Sequence, residues 1–194
     1  MKKFVILAVI YILFFSTLIN GEQKKGSFTF GPVVSVNKLL NADDQMTPIG
    51  VGLSIAYIPA NHGFSGIVSL SYPLYIMVDE YAKASSGLVN DSVLGYGKTF
   101  EIDFSFLSST FYLSLSGGLH YNLTFLIDQS DTVGFFNAGP GLFVTAGSAA
   151  SRFRVLLEIH YDFLNTSWGD ALSLYFSGPA KHNVGGTLML GIKL

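Results

Sequence analysis

Residues 152–163, RFRVLLEIHYDF, alternate strictly in kind. Phe153, Val155, Leu157, Ile159, Tyr161 and Phe163 hold the odd positions, and Arg152, Arg154, Leu156, Glu158, His160 and Asp162 the even ones. Successive side chains of a β-strand point to opposite faces, so the segment predicts a strand with one apolar face and one nearly all polar or ionisable. A helix would scatter these charges around its circumference. The same period of two recurs in residues 27–36, 51–57, 64–74, 100–106, 111–123, 136–144 and 184–194. This makes eight strands, and none of the apolar faces carries a charge.

The connections alternate in length. Residues 59–63, 107–110 and 147–151 are short, whereas 37–47, 78–97 and 165–182 are longer and read as loops, as does 127–131 within the longer gap between 111–123 and 136–144. An up-and-down barrel that crosses a membrane has short turns at one end and longer loops at the other. With that topology, outward aromatics fall at the two strand ends. Phe28, Tyr57, Phe64, Phe106, Phe111 and Phe153 lie toward the short turns, and Tyr72, Phe100, Tyr121, Phe136, Tyr161 and Phe163 toward the long loops. Aromatic girdles at both interfaces are expected of such barrels. The pattern therefore predicts an all-β, eight-stranded antiparallel up-and-down transmembrane β-barrel over residues 22–194. Pro32 and Pro140 each follow a glycine inside a strand. Each removes a ladder hydrogen bond, which predicts a bulge or bend there.

Composition decides which face meets water. Charged residues are only 12% of the 194, hydrophobic ones 49%. A soluble barrel of lipocalin type would wear many Lys and Glu on its outside. Here the polar face is mostly Ser, Gly, Thr and Asn, which suits the narrow interior of eight strands. Residues 1–21 have the anatomy of a secretory signal peptide: Lys2 and Lys3, an apolar run, then Ser16, Asn20 and Gly21. A net charge of −2 gives no footprint for nucleic acid, and the lack of cysteine excludes disulfides and thiolate metal sites.

The Gly-rich AGPGL at residues 138–142 and the last strand, GGTLMLGIKL, make the chain resemble the small eight-stranded outer-membrane proteins related to the OmpA transmembrane domain, OmpX and OmpW. The last strand is similar to the C-terminal signal read by the barrel-assembly machinery, with Leu194 where Phe is usual. The resemblance implies a bacterial outer-membrane location, insertion by that machinery and a monomer in outer-membrane lipid.

In a membrane barrel the polar face turns inward. Glu101, Asp103, Glu158 and Asp162 then face Arg152, Arg154 and Lys193, with His160 nearby. Charges in a low-dielectric interior must be paired, so these eight residues predict a salt-bridged plug that fills the lumen. The alternative is a narrow pore for small solutes or ions, with the same network as its filter. His120 and His160 both point inward near Asp162, but no third ligand stands at a diagnostic spacing, so hydrogen-bonded lumen histidines are expected and no metal or cofactor site is assigned. No arrangement resembles the sites of barrel enzymes, so no catalytic residue is assigned. The expected role is structural or surface-interactive and adhesin-like, through the long loops, where sequence is least constrained by lipid. A soluble secreted binder of an apolar ligand is the remaining alternative.

Overall fold

The computed structural model describes residues 26–40, 45–78, 81–84, 86–104, 109–128, 131–168 and 181–194. The expected signal peptide lies outside them. Ten strands follow in order: β1 (Ser27–Leu40), β2 (Gln45–Ile58), β3 (His62–Val78), β4 (Tyr81–Ala84), β5 (Ser86–Phe104), β6 (Ser109–Asp128), β7 (Asp131–Ser148), β8 (Phe153–Asp162), β9 (Leu164–Trp168) and β10 (His182–Lys193). Hydrogen bonds run β2–β1–β10–β8–β7–β6–β5–β3, and β3 pairs back to β2. All pairings are antiparallel, so the sheet closes on itself and leaves no edge in the ring. Eight strands make the wall. The short β4 pairs with the end of β3, and β9 takes over the pairing with β7 where β8 stops.

Which residues face outward follows from the pleat. Along β8 the exposed positions are Phe153, Val155, Leu157, Ile159 and Tyr161, and the buried ones are Arg154, Leu156, Glu158, His160 and Asp162. Along β1, Phe30, Pro32, Val34 and Val36 face out while Thr29, Val33, Ser35 and Asn37 are buried. The oily faces thus form the outer surface and the small polar residues fill the inside, the reverse of a soluble lipocalin-type barrel. Phe28, Tyr57 and Phe64 pack ring against ring at the short-turn end. At the start of β3, just after the turn from β2, Gly63 adopts φ of 147°, a left-handed value that favours glycine.

Several expectations need correction. Residues 78–97, read as a loop, are mostly strand: β3 turns into β4, and β5 runs from Ser86 through residue 97 to Phe104. Phe100 therefore belongs to the short-turn end, beside Thr99, whose amide donates to the Asn61 carbonyl. Residues 37–40 and 45–50 extend β1 and β2, and β6 and β7 run to Asp128 and from Asp131. Phe106 lies outside the described residues. β5, β6 and β7 have 19, 20 and 18 residues, whereas about 9–11 suffice to cross a bilayer. Of what read as loops at that end, residues 37–40, 45–47, 81–84, 86–97 and 165–168 are strand carried beyond the apolar band, and residues 169–180 lie outside the described residues.

The two prolines behave differently. At Pro140 the register of β7 slips by one, from Gly141↔His160 on β8 to Ala138↔Leu164 on β9, so the second strand carries an extra residue: a bulge. At Pro32 the ladder to β10 merely skips. Phe30↔Ile192 and Val33↔Met189 keep one register across the gap, so no residue is inserted and the expected bulge is absent. A further bulge, between Ile49 and Gly50, skips Leu74 on β3.

Candidate functional site in the barrel lumen

The lumen is layered. Toward the short turns lies an apolar cluster of Val33, Ala56, Ile67, Val93, Phe143, Leu156 and Met189. Leu156, Val33 and Met189 each sit one inward position nearer the short turns than Glu158, Ser35 and Thr187 on the same strands. Above the cluster is a polar layer. Beyond that, Leu39 on β1, Leu126 on β6 and Val133 and Phe135 on β7 are buried toward the other end.

The polar layer is built by cross-strand neighbours. Register pairs Asp91 of β5 with Asn122 of β6, Asn122 with Asn137 of β7, His160 of β8 with Gly185 of β10, and Asp162 with Asn183 of β10. Its centre is a pair of imidazoles. His120 and His160 stack with ring centres 3.6 Å apart and planes 3° from parallel. His120 Nδ1 lies 2.8 Å from Asp162 Oδ1, and His160 Nδ1 lies 2.9 Å from Glu158 Oε1. Asp91 accepts from Asn122 Nδ2 at 2.6 Å and from Asn37 Nδ2 at 3.1 Å. Asn183 Nδ2 donates to Asp162 Oδ2 at 2.8 Å and lies 3.3 Å from His160 Nε2. Gly141 and Gly185 leave room for this stack: a Cβ on Gly141 would press on the His120 Cβ, and one on Gly185 on the His160 ring.

The network is not closed. His120 Nε2, Glu158 Oε2, Asn137 Oδ1 and Asn183 Oδ1 are buried without a hydrogen-bond partner. His120 Nε2 faces Asp91 Oδ1, 3.6 Å away. Buried polar atoms cost free energy when unpaired, so these four mark where another group would be welcome. One ligand atom each from Asp91, His120 and His160 lie within 4.8 Å of one another, close enough to address a single ion.

Of the eight charged residues expected in one network, the structure brings together Glu158, His160 and Asp162. Arg154 is also inward but far down the strand. Its Nη1 donates among the carbonyl oxygens of Ser148, Ser151 and Phe153 at 3.1, 2.7 and 2.8 Å, and its guanidinium lies over the Tyr112 ring. Arg154, Glu101 and Lys193 line a cleft of about 150 Å³ at the short-turn mouth. Glu101, Asp103, Arg152 and Lys193 are exposed at that rim, and Asp103 accepts from the Thr110 hydroxyl. Among the described residues no Arg or Lys lies within 4 Å of a carboxylate; the close pairs are histidine with carboxylate. Asp91, Asn122 and Asn183 belong to the site and were missed. Asp91 lies in the stretch read as a loop, and the two asparagines carry no charge to draw attention.

No family model matches the chain, and no curated protein matches it. Solved structures do. The Neisserial surface protein A structure aligns with a TM-score of 0.52 over 88% of this chain and 99% of that one, at 11% identity. The fold is that of the small outer-membrane β-barrels. The attachment invasion locus protein of Yersinia pestis also aligns, with a TM-score of 0.45 over 87% of this chain and 97% of that one, at 14% identity. At such identity the likeness is one of fold.

Proposed function

We propose that this barrel is an integral protein of a bacterial outer membrane with a closed lumen, and that its role is structural or surface-interactive rather than catalytic. The observation that carries this reading is the stack of layers inside the wall. The cluster around Phe143 and Leu156 is buried and apolar, and the stacked histidines lie beyond it. An eight-stranded barrel has room for side chains and little else, so two filled layers in sequence leave no continuous water path. The apolar outer face supports placement in lipid, reached through a cleaved signal peptide and the barrel-assembly machinery, as a monomer.

Surface interaction is supported by the strands that overrun the bilayer. β6, β7 and β9 hold exposed Ile127, Phe136, Leu164 and Trp168 at the end away from the short turns, and the Phe125 and Trp168 rings meet edge to face. This projecting sheet is the surface offered to a partner. Planar-bilayer recording on the purified barrel is the test of the closed lumen. The expected result is insertion with no steady current, and a reproducible ohmic step per insertion would overturn it in favour of a narrow pore.

A further inference from the structure

We propose that Asp91, His120 and His160 form a transition-metal site, suited to zinc, sealed inside the barrel. The inference concerns the lumen alone and stands whether or not the outer end binds a partner.

Three observations converge. The first is tautomer control. Asn183 Nδ2 points at His160 Nε2, so that nitrogen carries a lone pair and the proton sits on Nδ1, where Glu158 accepts it. His120 Nδ1 likewise donates to a carboxylate, Asp162, while its Nε2 faces the carboxylate of Asp91. A metal-bound histidine characteristically gives its other ring N–H to a carboxylate, which fixes the ring and raises the basicity of the ligating nitrogen. Here two such carboxylate–histidine pairs stand side by side, each presenting Nε2. The second observation is the vacancy in hydrogen bonding at His120 Nε2, on a side chain with no exposure to solvent. The carboxylate oxygen it faces, Asp91 Oδ1, is too distant for a good bond at 3.6 Å. The third is Asp91 itself, a buried carboxylate oriented by Asn122 and Asn37, as a ligating carboxylate is oriented by its outer partners.

Two imidazoles and a carboxylate are the donors of many zinc sites, with ligand distances of about 2.0–2.2 Å and a fourth position open to water. Tetrahedral ligands at that distance stand about 3.3 Å apart, so the three donor atoms, now within 4.8 Å of one another, must draw in modestly. The rings, parallel at present, must fan apart by side-chain torsions until their Nε2 lone pairs converge. Nitrogen donors favour zinc, cobalt or nickel over calcium or magnesium. Apolar layers on both sides seal the site, so the ion is taken up as the barrel closes and acts as a staple between β5, β6 and β8, not as cargo.

The test uses untagged protein isolated from membranes, unfolded with chelator and refolded in detergent with Co²⁺. Folding is verified by the difference in gel migration between heated and unheated samples. The expected result is the visible absorption of four-coordinate cobalt at about one ion per folded chain, suppressed by Zn²⁺ present during refolding and lost in His160→Gln and Asp91→Asn. A folded wild-type barrel without those bands overturns the proposal, as do bands that survive both substitutions. If either variant fails to fold, the wild-type cobalt and zinc-competition readings still decide.

Discussion

A single outward substitution tests the orientation of the wall. Phe153 to Phe163 spans ten residue steps on one face, about 33 Å along the strand at about 3.3 Å per residue. Tilted by about 40°, this becomes about 25 Å along the barrel axis, the height of the apolar band of an outer-membrane-type barrel. Leu157 lies within one residue of the centre of that span, between Val144 on β7 and Leu188 on β10, and is 49% exposed. In lipid, Leu157→Arg places a cation near the midplane, which costs about 2–4 kcal/mol and lowers the folded-to-unfolded ratio about 30- to 900-fold. Phe153→Arg, at the interface, costs about 0–1 kcal/mol. In water neither change would exceed about 0.5 kcal/mol, the range for exposed surface positions. Reversible urea unfolding in lipid vesicles, followed through the single tryptophan, Trp168, measures both. Equal, small effects at the two positions would refute the membrane orientation.

Other substitutions probe the short-turn end and the wall. Arg154→Ala strips the β7–β8 turn of a charged donor shared among three carbonyl oxygens and is expected to cost about 2–3 kcal/mol in the same assay, given about 1.5–3 kcal/mol for a hydrogen bond to a charged group. Glu101→Ala and Lys193→Ala, at the exposed rim, are expected to stay within about 0.5 kcal/mol of wild type; a larger loss would mean that the rim charges are coupled. Gly95→Ala drives a methyl group into the Gly117 carbonyl oxygen across the β5–β6 ladder, and backbone cannot give way there. A loss of about 1–3 kcal/mol is expected, and an unchanged unfolding midpoint would mean that the two strands are further apart than the structure has them.

The wall was legible in the sequence because its cause is simple: lipid outside and a packed interior enforce a period of two on every strand. The alternation at 152–163 marks inward and outward residues one by one, and each of β8's ten residues takes the face expected of it. Residues 86–97 hid from the same reasoning. There Leu88, Asn90 and Leu94 are half-buried, Ser92 is buried against Asn90, and Val89, Asp91 and Val93 are buried, so apolar and polar residues mix at both kinds of position and no alternation in polarity survives. The inward valines belong to the interior, and Asn90 bonds across to the Ser69 carbonyl. The cost of missing the first half of β5 fell on the site. Without residues 86–97 the histidines had no third donor, and the carboxylates at 101 and 103 were drawn into a network that the register sets at the opposite end. Position along a strand, unlike face, depends on where each strand starts. Alternation does not encode that.

Closure of the lumen is attributed to two layers of different chemistry, and layers in series fail differently from layers in parallel. Phe143 is buried in the apolar cluster, and Phe143→Ala should cost about 3–5 kcal/mol through lost contacts and the cavity left behind. That cavity, lined by Val, Ile, Leu and Met, opens the apolar layer. Even if it were wetted, the stacked His120 and His160 would still stop ions above it. Conversely, His160→Ala opens the polar layer while Phe143 and Leu156 still block the path below. Each single variant should therefore insert into a planar bilayer without steady current, and only Phe143→Ala with His160→Ala should give one. If Phe143→Ala conducts as well as the double variant, the polar layer is no barrier and the apolar cluster is the sole gate. If the double variant inserts in its folded form and remains silent, the seal lies elsewhere, and the next place to open is the layer of Leu39, Leu126 and Phe135.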